Sequence, residues 1–161
     1  MIFRRVVNAS PLIFLTRVRL LDVLHEPGVP VFVPDRVFNE LGGIGPHDPA
    51  VSAVRKCLWL QIVPTPLIPA SVQGWSLDAG ESAVLALALE NADTQVILDD
   101  LAARRCAKAL GLPLQGTLGL ILVAKHLGMI AAVRPVIETL RRSGMYVSDR
   151  LAEQVFEQAG E

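Results

Sequence analysis

The sequence predicts an α/β fold in which helices cover both faces of a parallel sheet. Short apolar runs of strand length alternate along the chain with longer segments of helical period. Hydrophobic residues make up 52% of the 161 residues and charged residues only 19%, which excludes a disordered chain. A chain of this length can bury a core of ordinary size, so we expect a single domain over residues 1–161.

Five short runs rich in apolar and β-branched residues are expected to form the strands. The first ends at Val7, and the others span residues 29–33, 60–63, 94–98 and 112–114. The fourth run is the central one, because its three consecutive apolar residues are typical of a strand buried on both faces of a parallel sheet.

Nine segments are expected to be helical. Ser10 and Asp48 are each followed by proline, which combines a capping side chain with a favoured first helical residue. The expected segments are residues 11–21, 20–24, 34–41, 49–58, 78–91, 101–110, 117–127, 133–142 and 149–158. The pair Gly42-Gly43 is expected to end the third segment, and the proline-rich stretch 64–75 is expected to be a loop.

The composition also limits the classes of partner. The formal net charge of −1 provides no overall basic field for nucleic acid, so any such contact must come from local patches. Cys57 and Cys106 match no metal-binding spacing and indicate a reducing compartment. Neither a targeting segment nor a membrane-spanning stretch is evident, so we expect a cytoplasmic protein with no membrane partner. The apolar composition favours one more buried surface, most simply that of a homodimer.

Two adjacent carboxylates, Asp99 and Asp100, directly follow the central strand. In an open parallel sheet, ligands bind just beyond the carboxyl ends of the strands. Carboxylate oxygens are the donors that Mg²⁺ and Mn²⁺ prefer, so the pair indicates a site for a hard cation. Capping of the next helix is an alternative role that needs only one of the two carboxylates.

Three further polar residues lie at the ends of predicted elements: Asn8, Glu40 and Glu81. Taken alone, Asn8 is also typical of a turn residue, and Glu40 is typical of a solvent-exposed carboxylate on a helix. Glu81 follows Asp78 by three residues, which is the spacing of a capping box at a helix start. Local spacing therefore leaves a structural role open for each of these residues.

Three segments nevertheless resemble one known family. They are VVNASPLI at residues 6–13, LDAGESA at residues 77–83 and GTLGL at residues 116–120. Their order and separation resemble a prokaryotic branch of PIN-domain proteins from Val6 to about Glu157, a branch related to the ribonuclease toxins of toxin–antitoxin modules. The resemblance implies a three-layer α/β/α sandwich with a short central parallel sheet. It also implies an acidic pocket that binds Mg²⁺ or Mn²⁺ and cleaves RNA phosphodiesters.

The resemblance assigns roles residue by residue. Asn8 occupies the position of the family's first aspartate, and Glu40 and Glu81 match two further acids. Asp99 or Asp100 matches the acid after the fourth strand, and the register leaves both open. These five residues are the expected metal ligands, and the four acids are also the expected catalytic residues. Asn8 departs from the pattern, because an amide oxygen can ligate a metal but brings no negative charge.

The expected substrate contacts are Thr117, Arg104 and Arg105. Thr117 matches the family's glycine–threonine helix start, where a hydroxyl could position a water on the metal. Arg104 and Arg105 follow the acidic pair by about one helical turn, where either could meet a phosphate or form an ordinary ion pair with Asp100.

The expected function is that of a metal-dependent ribonuclease, with RNA as substrate and an antitoxin protein as a possible partner. A PIN-like module that binds RNA or protein without turnover is the main alternative, because the first ligand is altered. A phosphoacceptor receiver domain also places acids at strand ends. Its acidic pair follows the first strand, however, and here the first strand ends at Asn8.

Overall fold

A computed structural model describes residues 1–161. Its five strands are β1 (Arg4–Val7), β2 (Val31–Pro34), β3 (Leu60–Val63), β4 (Thr94–Ile97) and β5 (Leu114–Gln115). They form one sheet in the order β3-β2-β1-β4-β5, and every neighbouring pair is parallel. Helices surround this sheet, which confirms the predicted α/β/α sandwich.

Nine α-helices connect and cover the strands. They are α1 (Ala9–Arg17), α2 (Asp35–Ile44), α3 (Pro49–Lys56), α4 (Ala70–Gln73), α5 (Ala79–Leu89), α6 (Leu101–Ala109), α7 (Thr117–His126), α8 (Arg134–Arg142) and α9 (Asp149–Ala159). None of them has the length and apolar character needed to span a bilayer. Asp48 caps α3 as predicted, since its side chain accepts a hydrogen bond from the Ala50 N–H at 2.8 Å.

Two predicted helix ends are wrong. The first helix starts directly after β1, so Asn8 takes the N-cap position instead of Ser10. Pro11 falls within the first turn, where N–H groups have no partner inside the helix, so the proline costs no helical hydrogen bond. The second error is at Gly42-Gly43, because α2 continues through this pair to Ile44. Gly45 follows with a φ of 148°, a backbone conformation that glycine adopts readily and that ends the helix there.

Three shorter segments also differ from the prediction. The expected helix at residues 20–24 is a single 3₁₀ turn over Leu21–Leu24. The expected loop at residues 64–75 contains the one-turn helix α4. The last strand is shifted to Leu114–Gln115, because Pro113 has no N–H to give to the ladder and contributes only its carbonyl, which accepts from the Val96 N–H at 2.8 Å.

The centre of the molecule is β4 packed against α5. Alanine and leucine fill α5 on all sides, and eight of its eleven residues are buried. A helix that is apolar all round is stable only when it is enclosed, and α5 contacts β1, β2, β4 and α2. Val96, Ile97 and Leu98 are completely buried beside it. This packing fixes the end of β4, and therefore the position of the acidic pair that follows.

The strand order has a switch point between β1 and β4. The chain adds β2 and β3 on one side of β1 and then returns to add β4 and β5 on the other side. In sheets of this kind, the connections leave the two central strands in opposite directions and open a crevice beyond their carboxyl ends. Asn8 follows β1 and Asp99 follows β4 closely, so both lie at this crevice.

Candidate active site at the carboxyl edge of the sheet

Parallel pairing brings Asn8 and the acidic pair together. Val7 is the register partner of Ile97, and the Asn8 N–H donates to the Ile97 carbonyl at 3.1 Å. The next residues along both strands therefore leave the sheet side by side. Asn8, Asp99 and Asp100 line one cleft of about 350 Å³ together with Glu81, and residues 144–146 form part of its wall. We call this space the acidic cleft.

Asn8 has an unusual environment at the base of the acidic cleft. Only 5% of its surface is exposed, and its side-chain oxygen Oδ1 is buried without any hydrogen-bond donor. The residue occupies the N-cap position of α1, yet its side chain does not cap the helix. A buried polar atom left unpaired costs about 1–3 kcal/mol. An unpaired acceptor beside acidic groups is the feature expected where a cation or a donor of a ligand binds.

Asp99 is held firmly by Thr117. The Thr117 N–H donates to Oδ1 at 2.7 Å, and the Thr117 hydroxyl donates to Oδ2 at 2.6 Å. Thr117 itself is fully buried. It does not line the acidic cleft, and its expected contact with substrate stays a prediction. Its hydroxyl orients Asp99, and each Asp99 oxygen keeps one lone pair for a further partner.

Asp100 caps α6. Its Oδ2 accepts from the Ala103 N–H at 2.9 Å, while Oδ1 receives no hydrogen bond within the protein. Asp100 is also exposed to solvent, whereas Asp99 is only partly exposed. The capping role and a ligand role are compatible here, because each uses a different oxygen. The structure thus distinguishes the two aspartates, with Asp99 buttressed by Thr117 and Asp100 holding a free carboxylate oxygen at the cleft.

Glu81 combines a cap with a perturbed pKa. It forms the predicted capping box with Asp78: the Glu81 N–H donates to Asp78 Oδ1 at 2.8 Å, and Glu81 Oε2 accepts from the Asp78 N–H at 3.3 Å. Burial, together with the nearby negative charges of Asp78 and Asp100, raises the pKa of Glu81 to about 7. Without a cation in the cleft, this carboxylate therefore holds its proton up to nearly neutral pH.

Glu40 does not line the acidic cleft. Its Oε1 accepts from the Gly80 N–H at 2.8 Å, which places the carboxylate on the first turn of α5. A Cβ added to Gly80 would lie only 2.5 Å from that oxygen, so glycine makes room for Glu40. Burial raises the pKa of Glu40, and the nearby charge of Asp78 acts in the same direction. Local sequence offered no specific structural role for Glu40. Its hydrogen bond to the start of α5 accounts for the position of its carboxylate.

The start of each helix at this edge takes part in the site. Four helices, α1, α5, α6 and α7, begin next to Asn8, Glu81, Asp100 and Asp99 respectively. Helix N-termini carry unpaired N–H groups and a partial positive charge, which stabilises nearby carboxylates by about 0.3–1 kcal/mol each. The α/β topology thus allows several acidic groups to lie near one another in the absence of a counter-ion.

Arg104 and Arg105, on the helix α6 that follows the acidic pair, have different environments. Arg104 lies in a groove that adjoins the acidic cleft, and its Nη1 donates to the Leu98 carbonyl at 2.9 Å. Arg105 is exposed and lines neither the groove nor the cleft. Neither arginine forms an ion pair with Asp100, so the ordinary pairing considered from the sequence is absent.

The family model DUF3368, described as a PIN domain, matches residues 4–161. The chain belongs to the PIN-domain family. The match covers almost every residue, including all of the acidic cleft.

One solved structure gives an independent likeness in fold. The PIN domain endonuclease Utp24 superposes with a TM-score of 0.52 and 13% sequence identity, over 70% of this chain and 84% of that chain. At this level of identity the likeness shows the fold alone. The search of curated protein sequences found no significant match.

The donor set of this PIN domain fits a hard divalent cation in its chemistry. It contains the unpaired amide oxygen of Asn8 and the carboxylates of Glu81, Asp99 and Asp100. The geometry is open, because no three acidic, histidine or cysteine side chains form a cluster close enough to hold a metal ion by themselves. An ion at this site would therefore depend on the Asn8 oxygen and on water as well as on the acids.

Sequence reasoning missed the loop that closes the acidic cleft. Met145 and Tyr146 lie on the connection between α8 and α9 and line both the cleft and the adjoining groove. The signal was weak: Gly144 follows a basic helix end, and Tyr146 is the single tyrosine of the chain. Nothing in the local pattern indicates that the connection between α8 and α9, far along the chain from β4, returns to the same edge of the sheet.

Proposed function

We propose that this PIN domain is a metal-dependent ribonuclease that hydrolyses phosphodiester bonds of single-stranded RNA. The observation that carries the proposal is the buried and unpaired Oδ1 of Asn8, a residue that lines the same cleft as three acidic side chains. A bound cation would satisfy this oxygen and offset the mutual repulsion of the acids. As a scale, two like charges 4 Å apart repel by ~4 kcal/mol at an effective dielectric constant of 20.

Asn8, Asp99 and Asp100 are the residues that would hold Mg²⁺ or Mn²⁺, through oxygens that the fold leaves available. When bound, such an ion activates a water molecule for attack and neutralises charge on the phosphate. Glu81 lies in the same cleft, where its carboxylate can accept and release a proton. Thr117 keeps the Asp99 carboxylate in one orientation. Glu40 supports the start of α5, where Glu81 lies.

We also propose the finer biological role of a toxin from a toxin–antitoxin module, acting in the cytoplasm as one domain and controlled by an antitoxin protein. The supporting feature is the resemblance of the three sequence segments to that branch of the family.

Assembly as a homodimer is part of the proposal. Residues 57–77 contain no charged side chain, and they include the edge strand β3. Within this stretch, Leu58 is 98% exposed and Leu67 is 96% exposed. An uncharged edge with exposed leucines is typical of a surface that is covered in the assembled protein. Light scattering should give twice the chain mass, and a monomer mass at micromolar concentration would contradict this part.

The alternative is a module that binds RNA or protein without turnover. Two observations favour it: Asn8 contributes no charge, and each acid already has a structural hydrogen bond at a helix start. A module of this kind would bind RNA with or without metal and would leave the RNA intact.

Metal binding separates the two functions before any cleavage is measured. Mn²⁺ should raise the melting temperature of the wild type, because a ligand that binds only the native state stabilises it. Asn8→Ala should weaken this response, whereas Asn39→Ala, an exposed asparagine on α2, should retain it. If Mn²⁺ leaves the melting temperature of the wild type unchanged and RNA stays intact, the ribonuclease proposal fails and the binding module replaces it.

A further inference from the structure

A groove of about 530 Å³ adjoins the acidic cleft, and the two share Asp99, Met145 and Tyr146. We propose that this groove binds the nucleotide next to the scissile phosphate, with Tyr146 stacking against its base and with Arg104 and Lys108 contacting its phosphate. This inference rests on the proposed function, since it describes how single-stranded RNA reaches the same site.

The charges of the groove match a phosphate. Arg104 and Lys108 line it on α6, and Asp99 is its one acidic residue. Neither cation forms an ion pair within the protein, so both charges are available to a ligand. The bond from Arg104 to the Leu98 carbonyl fixes the guanidinium beside the end of β4. An arginine that is fixed in place and lacks a carboxylate partner is well suited to contact a phosphate.

Gly116 makes the position of Arg104 possible. A Cβ at this residue would overlap Nη1 of Arg104 and would lie 3.2 Å from Oδ1 of Asp99. The guanidinium therefore packs over Gly116, close to the carboxylate that belongs to the acidic cleft. A phosphate bound by Arg104 would lie at the boundary between the groove and the cleft, which is where an RNA strand must pass to reach the acids.

Tyr146 stands at the same boundary. The residue is 89% exposed, although the loop that carries it is held on both sides. On one side, Arg17 donates to the Ser143 carbonyl at 2.5 Å. On the other side, Arg141 donates to the Val147 carbonyl at 3.0 and 2.8 Å through two nitrogens. A fixed backbone presents the ring at low entropic cost, as a stacking platform for a base requires.

An apolar segment of a protein partner is the other occupant that such a groove could accept, because leucines such as Leu118, Leu122 and Leu151 also line it. Two unpaired cations favour the nucleotide, since an apolar segment leaves both of them without a partner. Stacking of a base against Tyr146 would also explain why an aromatic ring is exposed at the boundary with a cleft lined by carboxylates.

The test is the affinity for a short fluorescein-labelled oligouridine, measured by anisotropy in excess chelator so that turnover plays no part. Tyr146→Ala should weaken binding by about tenfold. Tyr146→Phe should keep the wild-type affinity, because it keeps the ring. Phe3→Ala removes another exposed aromatic ring, at the opposite end of β1, and should have no effect. Melting temperatures close to that of the wild type would show that each variant is folded.

The charge contribution has its own pair of variants. Lys108→Ala should weaken binding and reduce its dependence on salt, whereas Lys56→Ala, at the end of α3, should do neither. If wild type does not bind the oligouridine, or if both Tyr146→Ala and Lys108→Ala bind as wild type does, the nucleotide subsite is wrong, and the groove is left to a protein segment. Cleavage assays with Mn²⁺ keep the two proposals distinct, because binding in chelator does not require a functional nuclease.

Discussion

Thr117 meets Asp99 with two hydrogen bonds, one from its backbone N–H to Oδ1 at 2.7 Å and one from its hydroxyl to Oδ2 at 2.6 Å. The start of α7 is thereby joined to the end of β4, across the edge of the sheet where the acidic cleft lies. Asp99 has its orientation set by this pair of donors. The relationship also explains why the helix that follows β5 begins with a threonine.

Thr117→Val should reveal the strength of this contact. The substitution keeps the branched shape and removes the hydroxyl, so one Asp99 oxygen loses its donor. Because the acceptor is a carboxylate, the loss should be about 1.5–3 kcal/mol in the free energy of unfolding. Thr94→Val is the matched control, since Thr94 is equally buried but donates to the neutral Asn91 carbonyl at 2.8 Å, and it should lose only about 0.5–1.5 kcal/mol. Equal losses for the two variants in urea denaturation would contradict this account.

The two aspartates should respond differently to loss of charge. Relief of repulsion alone would predict that Asp99→Asn melts at the same temperature as wild type or higher. The structure predicts the opposite, because an amide nitrogen would face one of the two Thr117 donors, and the loss should be about 1–3 kcal/mol. Asp100→Asn should be nearly neutral, since asparagine caps a helix as well as aspartate does. A melting temperature for Asp99→Asn at or above that of wild type would show that repulsion dominates.

Glu81 predicts a dependence of stability on pH in the absence of metal. The native state keeps the Glu81 proton up to about pH 7, whereas the unfolded chain releases it near pH 4.5, so the native state binds more protons between these values. Stability should therefore fall as pH rises through this window, by about 3 kcal/mol in total from this group. Glu81→Gln keeps the capping acceptor and should remove the fall, so it should be more stable than wild type above pH 7.

The control for this measurement is Glu153→Gln, at an exposed residue of α9. It should leave the pH profile of the wild type unchanged. Denaturation in chelator at a series of pH values would measure both variants. A Glu81→Gln profile that falls between pH 4.5 and 7 as steeply as that of the wild type would show that another group titrates there.

Glu40 separates the role implied by the family resemblance from the role that the geometry supports. Glu40→Gln keeps an acceptor for the Gly80 N–H, so the geometry predicts nearly unchanged stability and retained cleavage. Glu40→Ala removes the acceptor and should destabilise the protein by about 0.5–2 kcal/mol, as the loss of a cap does. Loss of cleavage in Glu40→Gln without loss of stability would instead restore Glu40 as a metal ligand.

Much of the fold could be predicted because its signals are local. Each strand is a short apolar run, and each of the long helices is marked by its periodicity or by a cap such as Asp48. The errors arose where tertiary packing overrides a local signal. The glycine pair of α2 is a different case: both glycines are exposed, and they cost the helix some stability without ending it. The shift of β5 follows from its pairing with β4, which no local pattern specifies.

The site could be predicted in part for a similar reason. Asn8, Asp99 and Asp100 follow strands, and a parallel sheet brings the ends of its central strands together whatever the details of packing. The contacts of Glu40 and Thr117 could not be predicted. Glu40 is forty residues from Gly80 and Thr117 is eighteen from Asp99, so each partner is known only when the helices are placed in space. The same holds for Tyr146.

The central claim is that the acidic cleft cleaves RNA with a bound divalent cation. Asp100→Asn tests it cleanly, because the substitution removes a charge from the cleft and keeps the cap of α6. Asp48→Asn is the matched control, since it removes the charge of another capping aspartate, at the start of α3. Asn8→Asp adds to the cleft the charge that the family pattern has there.

The decisive measurement is cleavage of a mixed single-stranded RNA pool by these proteins with Mn²⁺, and again with excess chelator. The account predicts weak cleavage by the wild type and by Asp48→Asn, none by Asp100→Asn, more by Asn8→Asp, and none by any of them in chelator. Equal cleavage by the wild type and Asp100→Asn would contradict it. So would the absence of cleavage in every protein, including Asn8→Asp.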